Sequence, residues 1–172
     1  TPLQMKLEQW REYNRISEAG EIARRAFANN SFDGVLTMIG VVMGNFVVGV
    51  QEATIVLVTG LSTALAIGIS GGWGAYLTES AERRQDIDEL EQVTLTELHD
   101  TKIGKASRAA VVVVSLVDGI SPLISSLIVL TPFFIASLIG GVAVSYVVSM
   151  VLALICLFGL GMFLGHISGR SL

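Results

Sequence analysis

The sequence predicts an all-α fold: a polytopic helical membrane protein with four transmembrane helices, an N-terminal amphipathic helix and a short acidic cytoplasmic helical loop. Three observations predict it. Of 172 residues, 52% are hydrophobic and 15% charged, with a mean hydropathy of +0.67, whereas ordinary soluble domains carry about 25% charged residues. A soluble fold of this length would lack the polar residues to cover its surface, so lipid must act as its solvent. The apolar residues fall into four runs, each near the ~20 residues a helix needs to cross the hydrocarbon core. All 11 Lys and Arg lie outside those runs.

Residues 1–30 read as a cytoplasmic or interfacial helix. Leu3, Leu7, Trp10, Tyr13 and Ile16 recur at helical spacing, with Lys6, Glu8, Glu12 and Arg15 between them. Such a helix lies on the membrane surface or on another subunit, or is an ordinary packing helix. The charges near the start do not resemble a cleavable signal peptide. The transmembrane domain spans residues 31–172, with crossings at about 32–50, 54–77, 109–130 and 142–165 and a charged cytoplasmic insert at 78–108 that reads as one or two short helices. Pro122 should kink the third crossing and Pro132 mark its end, because proline lacks an amide donor. Residues 131–141, with Gly140-Gly141, are compatible with an outer loop, a re-entrant segment or the end of a tilted helix. Gly40 and Gly44, Gly68 and Gly72, and Gly161 and Gly165 are each four apart, a spacing that lets helix backbones approach closely.

Lys6, Arg11, Arg15, Arg24 and Arg25 precede the first crossing, Arg83, Arg84, Lys102, Lys105 and Arg108 lie in the insert, and Arg170 follows the fourth crossing. The connections at 51–53 and 131–141 have none. Positive charge stays on the cytoplasmic side, so both termini are expected there.

Two carboxylates fall in or beside crossings, each before glycine: Asp33-Gly34 and Asp118-Gly119. Asp118 lies near the middle of the third crossing by residue count, where a carboxylate costs about 2.5–3.5 kcal/mol on insertion scales. It therefore faces a cavity, a partner or an ion. Asp33 reads as nearer the cytoplasmic end, where Asn29-Asn30-Ser31-Phe32-Asp33 would equally serve as a helix start signal. Phe32-Asp33-Gly34-Val35 and Val117-Asp118-Gly119-Ile120 also have the look of a short internal duplication. Met43 and Asn45 are further pathway candidates, since carboxylate, amide and thioether together suit divalent metals; thioethers and hydroxyls in crossings more often fill space or bond their own backbone. In the insert Glu79, Glu82, Asp86 and Glu89 line one helical face and would repel one another without a cation; Glu97, His99 and Asp100 are placed to complete a site.

The chain has no Gly-rich loop ending in Lys-Ser or Lys-Thr, no His-Glu-x-x-His and no paired cysteines. Cys156 is the sole cysteine, which excludes an internal disulfide. Val35 to Met38 after Asp33-Gly34 do not continue as the phospho-alcohol transferase motif does. The pattern points to no enzyme, no resident cofactor and no nucleic-acid partner.

Three stretches resemble the vacuolar iron transporter family, which exports ferrous iron and manganese from the cytosol: Ser31 to Thr37, Ala66 to Arg84 and Ser121 to Phe134; Leu152 to Gly165 is similar to its fourth span. The order agrees, four of the family's five spans are matched, and a short archaeal- or bacterial-type member is indicated. The resemblance implies a homodimer with an ion path between subunits and proton-coupled export of iron(II) or manganese(II). It makes Asp33 the pathway carboxylate, with Glu79, Glu82, Asp86 and Glu89 loosely matching the family's metal-collecting helices. Gly71 and Ala75 stand where the family usually has Met and Glu, and the insert is about half the usual length. The alternative is a non-transporting membrane scaffold or subunit that keeps the fold.

Overall fold

The computed structural model describes residues 19–98 and 101–167. Most of the expected N-terminal amphipathic helix, and His99 and Asp100, lie outside the described residues. Five helices follow in order: α1 (Ala19–Val48), α2 (Ala53–Thr94), α3 (Lys102–Phe134), the short α4 (Ala136–Ile139) and α5 (Val142–Ile167). The four long helices are each apolar and long enough to cross a membrane, and no strand occurs among the described residues. The chain is thus an integral, multi-pass membrane protein in contact with the bilayer.

Two boundaries differ from the sequence reading. Helix α1 is already formed at Ala19 and runs straight through Asn29, Asn30 and Ser31, so these residues do not cap the first crossing. The insert is helical but is not built of separate short helices. Helix α2 extends 42 residues, about 63 Å at 1.5 Å per residue, and so carries the acidic face well beyond the ~30 Å hydrocarbon core. It ends at Leu95, whose φ of 51° is left-handed, and the Leu98 N–H donates to Glu91 Oε1 at 2.6 Å. Helix α3 starts at Lys102 and passes through Pro122 and Pro132 to Phe134. Residues 131–134 are the end of α3, and the short α4 and the glycines after it connect it to α5. Gly140 and Gly141 take φ of 106° and 97°, a conformation that side chains with a Cβ resist, and this reverses the chain into α5.

Helix α3 is the centre of the bundle, packing mainly against α2 and α1 and also against α5. Two kinds of contact hold it. Where α2 meets α3 the surfaces are small: a Cβ on Gly119 would lie 2.9 Å from the Gly68 carbonyl oxygen and 3.3 Å from the Gly72 Cα. Toward the other end, Val35, Met38, Val42, Val56, Val129, Leu130, Phe133 and Tyr146 form the apolar core. Serine hydroxyls there donate to backbone carbonyls across helices: Ser145 to Pro132 (3.2 Å), Ser149 to Val129 (2.7 Å) and Ser126 to Gly34 (3.4 Å). In lipid such bonds contribute roughly 0.6–2 kcal/mol each. Tyr146 donates its hydroxyl to Val50 at 3.0 Å, tying α5 to the α1–α2 turn.

These contacts make α1 parallel to α3, and α2 antiparallel to both. All described Lys and Arg gather at one end of the bundle, and the other end has Glu52 as its only described charged group. The positive-inside rule predicts the labelling pattern. Cysteine placed at Glu52 should react with an impermeant reagent from outside the cell, and cysteine at Glu89 should not; the opposite pattern would invert the orientation.

Candidate functional site

The site forms at the level where α1, α2 and α3 meet. Asn30 on α1 donates from Nδ2 to Asp118 Oδ1 at 2.7 Å and also to the Ala26 carbonyl at 2.9 Å. Asp118 therefore points into the bundle and is held by an amide from the neighbouring helix. Glu79 on α2 lies within electrostatic reach of the same carboxylate, and Arg83 one turn further on pairs with Glu79 at 3.4 Å. A second feature comes from the proline. Pro122 has no N–H, so the helical bond normally made to the Asp118 carbonyl is missing. That carbonyl faces the small surface of Gly71, where a Cβ would lie 3.2 Å away.

Asp33 sits differently. It is exposed on the outer side of α1 and lines a 390 Å³ cavity with Asn29, Phe32 and Leu164. Its depth also differs from the sequence reading. Asn30 meets Asp118, and Gly34 is seated on Pro122 and Ser125, so Asp33 lies about one turn beyond Asp118, further from the basic end. Asp33 is not the shallower of the two. The residue count placed it near the basic end because it began the crossing at Phe32, whereas the helix is already formed at Ala19, about three and a half turns earlier.

Both Asp-Gly pairs now have a common physical reading. Each glycine lies at a helix crossing that a side chain would fill, Gly34 against α3 and Gly119 against α2, and each aspartate is carried at the rim of that crossing.

The remaining candidates scatter. Glu82 and Asp86 are exposed, and Glu89 accepts a hydrogen bond from Gln85 at 3.0 Å. Glu97 is exposed beyond the end of α2. No three acidic, His or Cys side chains among the described residues come together as a metal-binding group. Within the chain the acidic face is a row and not a cage. Met43 is exposed on α1, whereas Asn45 is engaged, donating to the Val41 carbonyl at 2.8 Å and to Thr59 Oγ1 at 3.2 Å. Met38 is fully buried core. Ser115, Ser121 and Ser125 donate to carbonyls of their own helix. Sequence reasoning missed Asn29 and Asn30. The i,i+4 spacing of Asn29 and Asp33 was the available signal, hidden once Asn29 to Ser31 were read as a cap.

A family model described as the VIT family matches residues 25–102, which hold Asn29, Asn30, Asp33 and Glu79. An uncharacterised protein of Methanocaldococcus jannaschii is 30% identical over 155 residues, covering 88% of this chain and 78% of the relative. The chain belongs to the VIT family. No solved structure matches it. Membership supports a membrane metal-ion transport function and is in keeping with a short archaeal-type member of this transporter family. The relative aligns over most of the chain, so the likeness continues into the helices beyond residue 102.

Proposed function

We propose that the chain carries divalent metal, iron(II) or manganese(II), out of the cytosol in exchange for protons, as a homodimer with both termini cytoplasmic. The observation that carries this reading is Asp33: an exposed carboxylate at intramembrane depth on the outer face of α1. A charge there is costly in lipid, so a second subunit, an ion or both must cover it. The same stripe of α1 carries Gly40 and Gly44, about two and three turns beyond Asp33, and a Cβ on either would meet nothing within 4 Å in this subunit. A smooth glycine strip beside a carboxylate suits close approach of a second α1. Two copies of Asp33, with Met43 beyond it, would then offer hard and soft donors to a metal such as iron(II) or manganese(II).

Asp118 is suited to the proton. It is held inside one subunit by Asn30, near Glu79, and the exposed acids of α2 lead toward it from the basic end. Glu82, Asp86 and Glu89 would gather cations at the entrance, where a row of carboxylates raises the local cation concentration.

The test is flux. Proteoliposomes holding the chain should take up manganese(II) or iron(II) down an imposed gradient and move protons the opposite way, both absent from empty vesicles. A well-folded, dimeric chain that moves neither metal would favour the scaffold reading.

A further inference from the structure

Beyond the span level, the cytoplasmic-side extensions of α2 and α3 enclose a 590 Å³ cleft whose chemistry is the reverse of a cation path. Arg83 and Arg84 on α2 and Arg108 on α3 line it, together with Ser80, Ser107 and Tyr76. Asp88 is the one acid in the lining. Counting Glu79, which pairs with Arg83 at 3.4 Å, three guanidinium groups stand with two carboxylates, and the net positive charge favours an anion over a divalent metal. Val111 and the half-exposed Val112 add apolar surface to the lining.

The depth of this cleft is marked independently. Trp73 and Tyr76 lie one turn apart on α2 and are 66% and 44% exposed. Their rings pair at 5.9 Å. Exposed Trp and Tyr at the end of an apolar helix sit at the headgroup level, and Tyr76 is also a wall of the cleft. By helix rise Arg83 and Arg84 lie about 10–12 Å beyond Tyr76 on the polar side, a distance their long side chains can span toward the lipid phosphates. The cleft also opens beside the first turns of α3, a 33-residue helix whose N-terminus adds a positive partial charge.

We infer that this cleft binds the phosphate headgroup of an anionic phospholipid from the bilayer. Guanidinium groups bind phosphate oxygens with paired N–H donors, and basic pockets between transmembrane helices recognise acidic headgroups. The bound lipid would bridge α2 and α3 where both leave the membrane. This inference depends on the membrane fold alone and not on metal transport.

The experiment uses the full chain in bilayer nanodiscs, with Trp10→Phe leaving Trp73 as the only tryptophan. Brominated phosphatidylglycerol should quench Trp73 more than brominated phosphatidylcholine at equal mole fraction; equal quenching overturns the inference without any arginine variant. In Arg84→Gln/Arg108→Gln the preference should fall by about tenfold. In Lys102→Gln/Lys105→Gln, with the same charge removed outside the cleft, it should persist. Equal loss in the two double variants would mean diffuse surface attraction, and no loss in the arginine variant would remove the cleft; either sinks the proposal. Inorganic phosphate that abolishes the lipid preference at constant ionic strength would assign the cleft to a free anion and likewise overturn it.

Discussion

Asp33→Asn should cut manganese(II) flux by at least about 100-fold while leaving the melting temperature within a degree or two of the parent's. Loss of an outer-shell partner of a metal costs roughly 10–100-fold, and a carboxylate that touches the ion should cost no less. The amide has almost the same size, so packing at the α1 cavity of Asn29, Phe32 and Leu164 is unchanged. What disappears is the charge that offsets dehydration of the ion. Asp118→Asn should also suppress flux, by a different route. Its remaining oxygen still accepts from Asn30, so the α1–α3 bond of 2.7 Å survives and only the titrating group is lost. Proton counter-transport should then uncouple from metal movement, whereas Asp33→Asn should chiefly weaken apparent metal affinity. Flux and melting temperature measured on both variants separate the cases. Unchanged flux in both, with altered stability, would assign the aspartates to architecture and place the ion path elsewhere.

Gly119→Val should be strongly destabilising, costing about 3 kcal/mol or more. Its Cβ would stand 2.9 Å from the Gly68 carbonyl oxygen and 3.3 Å from the Gly72 Cα. Both are backbone atoms, which cannot swing aside as a side chain can, so α2 and α3 must part, and overpacking of this kind commonly costs 1–3 kcal/mol even where neighbours can move. The separation would also carry Gly71 away from the Asp118 carbonyl and Glu79 away from the Asp118 carboxylate, so transport should fail together with stability. Gly159→Ala provides the contrast. A Cβ there meets nothing within 4 Å, and the helix gains up to about 1 kcal/mol of propensity. Thermal unfolding of both variants in one detergent checks the pair. Equal melting temperatures for Gly119→Val and its parent would show that α2 and α3 do not meet at these glycines.

Four crossings, the gathering of basic residues at one end and the presence of two acids at membrane depth were all legible in the chain, because each depends on the sum of local transfer free energies along a stretch of residues. A run such as Ala109 to Leu130 is apolar wherever it is placed, and Asp118 within it is costly wherever it faces. Register and rotation are different quantities. They are decided by which surfaces interlock, and nothing within a single helix records them. Only the packed structure seats Gly34 on Pro122 and Ser125, which sets Asp33 beyond Asp118 and not short of it. Only packing brings Asn30 to Asp118 across a separation of 88 residues. The same distinction divides the glycine pairs: Gly68 and Gly72 are consumed in the α2–α3 contact, while Gly40 and Gly44 stay open, though their spacing is identical. Hydropathy also ended the second crossing at Leu77, where polar residues begin. A helix ends only where its backbone bonding ends, however, and water satisfies the outer face of α2 as well as lipid does, so the helix carries its acids on to Thr94.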